Sequence, residues 1–74
     1  MSAINRHVGG RLRDLRENAG MDGARLAAEI QATTEEISGY EQGSIRISSD
    51  TLLRLCRVFN VGPSYFFNEF DVDE

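Results

Sequence analysis

Lysine is absent from this 74-residue chain, and cysteine, histidine and proline occur once each. A single cysteine, Cys56, excludes an internal disulfide and suits a reducing compartment. With His7 as the only histidine, no ordinary zinc-ligand set can be assembled, and no metal or other cofactor is expected. Long apolar runs are missing too. The longest uncharged run, Val58 to Asn68, is too short to span a bilayer, and Gly62-Pro63 interrupts it. No signal peptide is recognised, so a soluble, cytoplasmic protein without membrane contact is expected. The chain also lacks a catalytic constellation, a phosphate-binding glycine loop and a nucleophile elbow, which sets an enzyme aside.

What is present is balanced in an uneven way. The formal charge is −4, yet four of the 12 acids (Glu69, Asp71, Asp73, Glu74) fall in the last six residues. Residues 1 to 68 therefore carry eight arginines against eight acids, a net of zero. An overall pI near 4.9 argues mildly against nucleic acid, because phosphate binding is driven by local positive charge that releases counterions. Arg6, Arg11, Arg13 and Arg16 nevertheless cluster in the first quarter and permit a locally positive field. Using arginine alone suits forked contacts to carboxylates or phosphates, and a G·C-rich coding bias produces the same usage. Seventy-four residues with 41% hydrophobic content suffice for one small core. A single domain over residues 1–70 is expected, followed by an acidic, disordered tail over 71–74.

Helical periodicity organises the chain. Val8, Leu12, Leu15 and Ala19 form the stripe of helix 1, which ends at Gly20, while Gly9-Gly10 weaken its opening so that residues 1 to 8 fray or form an arm. In MDGARLAAEIQATTEEISGYEQG, residues 21–43, two short amphipathic patterns lie only a few residues apart. The first is capped by Asp22 and carries Leu26, Ala27 and Ile30. The second opens with Thr33-Thr34-Glu35-Glu36, a capping box, continues with Ile37 and Tyr40 facing inward, and stops at Gly43. That pairing is a helix-turn-helix signature. Residues 44–48 read as an extended loop. Helix 4, capped by Ser48, Ser49 or Asp50, carries Leu52, Leu55, Cys56 and Phe59 and ends at Asn60, with Cys56 read as a small core residue. Gly62-Pro63 opens a short fifth helix bearing Tyr65, Phe66, Phe67 and Phe70. Those four aromatics are too many for one short helix to hide, so they are assigned to a dimer interface.

These residues resemble the phage-repressor, Cro-type helix-turn-helix family, also called the XRE family. The resemblance rests on Gly10 to Arg16 with Gly20, on Leu26-Ala27, on Ile37-Ser38 with Tyr40-Glu41 and Gly43, on Leu52 through Phe59, and on Val61 through Phe67. It implies an all-α, five-helix domain that presents helix 3, about residues 33–41, to the DNA major groove as a homodimer reading two half-sites. By position it implies base contacts from Thr34, Glu35 and Gly39 and a phosphate contact from Thr33, with Ser38 in the same DNA-facing set. It also implies a partly buried ion pair between Arg16 and Glu41. Arg46, in the loop beyond helix 3, is the best further phosphate contact, and Arg11 and Arg54 are weaker ones.

Two functions follow from different classes. One is a sequence-specific DNA-binding transcriptional regulator, most often a repressor acting on double-stranded DNA as a homodimer. The other is a protein-interaction module that has lost DNA reading and acts as antagonist or adaptor of another regulatory protein. The second is supported by Glu35 and Gly39 on helix 3, by Gly23 at the start of helix 2, where a polar residue is usual, and by the net charge. Gln31 likewise replaces the usual turn glycine.

Overall fold

In the computed structural model, which describes residues 3–67, the first helix (α1) spans Ala3–Asn18. It is followed by α2 (Gly23–Ile30), α3 (Thr34–Gln42), α4 (Ser49–Phe59) and a closing 3-10 helix over Pro63–Phe67. Four α-helices and one tight 3-10 turn thus stand where five helices were expected. The fifth segment, Pro63 through Phe67, has only five residues, one of them a proline, and a run that short satisfies few backbone bonds in α geometry.

Local signals explain where each helix starts and stops. The Asp22 carboxylate accepts from the Arg25 amide at 2.8 Å and opens α2. Thr33 Oγ1 accepts from the Glu36 amide at 3.0 Å, while Glu36 Oε1 accepts from the Thr33 amide at 2.9 Å, so the capping box of α3 closes in both directions. Ser48 Oγ accepts from the Thr51 amide at 3.2 Å at the start of α4. Gly43 at φ 79° ends α3, and Asn60 at φ 57° ends α4 in the same left-handed conformation.

Helix α1 begins at Ala3, so the fraying expected of residues 1 to 8 does not extend through the described part of that segment. Tertiary packing outweighs glycine's poor helix propensity. Gly9 is buried, and a Cβ there would come within 2.8 Å of the Glu41 carbonyl oxygen and would also strike that of Tyr40. The absence of a side chain at Gly9 lets α1 lie directly on the last turn of α3.

The core is built by Val8 and Leu12 of α1, Leu26, Ala27 and Ile30 of α2, Ile37 and Tyr40 of α3, Leu55 and Cys56 of α4, and Phe66. Phe66 is completely buried, which corrects its assignment to a dimer interface: it anchors the 3-10 helix in the core. Tyr65 is half-buried, meets Phe66 edge-on with ring centres 5.6 Å apart, and lies under the Arg11 guanidinium at 4.2 Å. Phe67 is exposed, while Phe70 and the acidic tail 71–74 lie outside the described residues. Cys56 sits in the core, where burial pushes its thiol pKa up and keeps it protonated. No helix among the described residues is long and apolar enough to cross a membrane.

Candidate nucleic-acid interface

The turn between α2 and α3 is short because Gln31 bends the chain in a left-handed conformation, φ 59° and ψ 43°, while its amide closes back on α2. A glutamine accepts that conformation at a cost of about 1–2 kcal/mol, which glycine avoids. Arg54 Nη1 donates to the Ile30 carbonyl at 3.3 Å, placing a cation on the C-terminal end of α2, where the helix dipole favours it.

Helix α3 divides cleanly into two faces. Ile37, Gly39 and Tyr40 are buried, whereas Thr34, Glu35, Glu36, Ser38 and Gln42 are exposed. Glu36 is occupied by the capping box, so Thr34, Glu35, Ser38 and Gln42 make up the remaining outward ridge, spaced at one, three and four residues. Its side chains are partly ordered among themselves. Thr34 Oγ1 donates to Glu35 Oε1 at 3.3 Å, and Gln42 Nε2 donates to Ser38 Oγ at 3.0 Å. Thr33, just before the ridge, accepts the capping bond and still carries a hydroxyl hydrogen to donate.

The orientation of this ridge is held from behind. Arg16 Nε donates to Glu41 Oε2 at 2.6 Å and Nη2 to Oε1 at 3.1 Å, a forked pair tying α1 to α3. Arg16 Nη1 donates to the Met21 carbonyl at 3.0 Å, so the same guanidinium also fixes the approach to α2. The hydrogen bond from Glu41 raises the Arg16 pKa, outweighing the opposing effect of desolvation. With the close approach at Gly9, this pair leaves α3 little freedom to rotate against α1.

Gly39 is not an open base-reading position. It is buried beneath Ile45, and a Cβ at residue 39 would lie 2.6 Å from Ile45 Cγ1. The loop is drawn back because the Gly39 carbonyl accepts from the Ser44 amide at 3.0 Å, the Ile45 amide at 3.2 Å and Ser44 Oγ at 3.3 Å. Arg46 follows on the exposed loop. Arg11 is engaged with Tyr65, donating to its carbonyl at 3.2 Å as well as covering its ring, and therefore serves the fold. Behind the loop, Ile4, Val8, Ile45, Ile47, Leu52 and Phe67 line a groove of about 390 Å³ with Arg46 at its wall. Gln42 and Ile45 were not singled out from sequence. Gln42 was legible as the residue four beyond Ser38, whereas Ile45 gains its position only through the loop bonds to Gly39. Among the described residues there is no group of three or more His, Cys, Asp or Glu placed to hold a metal ion.

Two short helices joined by a tight turn, the second pinned from behind with a polar ridge outward, define a helix-turn-helix domain. The chain belongs to the helix-turn-helix domain family, whose model matches residues 7–64, and within it to the XRE type. It is 34% identical over 68 residues to the uncharacterized HTH-type transcriptional regulator y4wC of Sinorhizobium fredii, a match covering 92% of this chain and 48% of that protein. Among solved structures it is similar to the restriction-modification controller protein C.AhdI from Aeromonas hydrophila, with a TM-score of 0.83 and 27% identity over 89% of this chain and 100% of that one. The clp gene regulator ClgR from C. glutamicum shares the fold, with a TM-score of 0.82 at 18% identity over 99% of this chain and 100% of that one. The chain spans about half the length of the curated relatives it matches.

Proposed function

We propose that this chain is a sequence-specific DNA-binding module of a transcriptional regulator, with the outward ridge of α3 in the major groove. The observation that carries the reading is the ridge itself. Thr34, Glu35, Ser38 and Gln42 face solvent on a helix that the Arg16–Glu41 pair holds in place. Thr33 and Arg46 flank it as phosphate contacts, which position the helix without carrying sequence information. The names of the relatives, transcriptional regulators, and of C.AhdI, a controller protein, support the same reading. A homodimer matches two half-sites and brings two copies of the phosphate-contacting Arg46 to the duplex, with exposed Phe67 as its apolar contact. Repression follows where such a dimer occupies promoter DNA in the cytoplasm.

Glu35, an acid on the outward ridge of α3, favours a second reading, an interaction module that pairs with another regulator and does not read DNA. Selection from random duplexes by the wild-type protein separates the two. A reading module enriches a motif with two related half-sites, and Arg46→Ala then weakens all sequences about equally, lowering the salt slope by about one unit. Failure of a folded wild-type dimer to enrich any motif overturns the DNA reading.

A further inference from the structure

We propose that Ile45 is a specificity-determining residue, supplying from the loop the base contact that α3 lacks at Gly39 and recognising the 5-methyl group of a thymine. The inference rests on the DNA reading above. Gly39 lies one residue beyond Ser38 on α3, and its Cβ space is filled by the Ile45 side chain. Ile45 is nevertheless 41% exposed, so part of its apolar surface is open to a partner. Its backbone is held by the bond from its own amide to the Gly39 carbonyl and by the two bonds from Ser44 to the same oxygen. The side chain is therefore a preorganised apolar tip beside the polar ridge of α3, and Arg46 follows it directly as a phosphate contact.

In the major groove, thymine is the base whose edge carries a methyl group, and apolar side chains recognise it by excluding water from that methyl. Glu35, in contrast, offers only acceptors and suits the amino group of cytosine. The two side chains thus divide the surface into a polar and an apolar reading element. The other side of Ile45 faces the groove lined by Ile4 and Phe67, so a purely packing role is the competing account that the experiment must exclude.

The test uses the duplex selected by the wild-type protein and replaces each thymine in turn by uracil, which removes the methyl and nothing else. Wild type should lose about fourfold in affinity at one thymine per half-site, the factor for returning one methyl-sized group to water. Ile45→Ala should bind the original site more weakly and be indifferent to uracil at that thymine. Ile45→Val, a milder change that preserves the fold, should retain most of the discrimination. A motif with no methyl-sensitive thymine, or a thymine whose methyl matters equally to wild type and both variants, overturns the assignment and leaves the DNA reading intact. A wild type that enriches no motif overturns both. Equal weakening of every sequence by Ile45→Ala also overturns the assignment, marking Ile45 as packing alone.

Discussion

Removing the Glu41 carboxylate tests how α3 is held. In Glu41→Ala the Arg16 guanidinium loses both prongs of its fork and keeps only the bond to the Met21 carbonyl. The two side chains are 17% and 10% exposed, so the pair belongs with covered ion pairs and not with surface ones. Breaking such a pair costs about 3–5 kcal/mol because a desolvated charge is stranded, whereas an exposed pair costs under about 1. The residual exposure of Arg16 places the loss near the lower end, about 3 kcal/mol. For a domain of this size each kcal/mol shifts Tm by about 4–8 °C, so a fall of about 12–24 °C is expected. Urea denaturation at constant m-value gives the free energy directly, and thermal unfolding supplies the second measure. Arg16→Lys should not rescue stability, since a single ammonium cannot reproduce the fork and reach Met21 as well. A loss below about 1 kcal/mol in Glu41→Ala would refute the idea that this pair holds α3.

Gly9 and Gly10 should respond oppositely to alanine, monitored by urea midpoints: Gly9→Ala drives a Cβ into the α3 carbonyls and loses about 1–3 kcal/mol, whereas Gly10→Ala enters open space and gains about 1 kcal/mol. Phe66→Ala should cost about 3–5 kcal/mol in the same assay. If the proposed homodimer forms through Phe67, wild type should sediment as a dimer and Phe67→Asp as a monomer with an unchanged circular dichroism spectrum; a monomeric wild type would refute it. Because burial raises the Cys56 pKa, its contribution to stability is complete below the ordinary thiol range and is lost as pH rises from that range toward the folded pKa. Alkaline destabilisation should therefore be smaller in Cys56→Val, and alkylation of the native thiol should require unfolding.

The parts legible from sequence are those governed by contacts within a few residues. Asp22, the Thr33–Glu36 box, Gly43 and Asn60 act on their own helix ends, so residue type and spacing suffice to place them. The buried stripes of α2 and α3 follow from period alone. The start of α1 was missed because Gly9 reads as a helix weakener in isolation, and its role depends on α3 lying against it. Phe66 was misplaced for a related reason. Counting aromatics shows that some must be exposed, but only the direction of the 3-10 helix decides that Phe66 turns inward and Phe67 outward. At the candidate site, the outward residues of α3 were readable from helical phase. The cover over Gly39 was not, because three loop hydrogen bonds converging on one carbonyl leave no periodic trace in the sequence.

The outer ridge of α3 and the loop after it are the proposed DNA surface. Amide chemical-shift mapping tests this most directly, with the isotope-labelled protein titrated by the selected duplex and then by a scrambled one. The largest changes should fall on Thr33 to Glu35, Ser38, Gln42 and Ser44 to Arg46, and those at Glu35 and Ile45 should be larger with the selected duplex. Perturbations confined to other faces of the domain, or identical for the two duplexes at every ridge residue, would contradict the account.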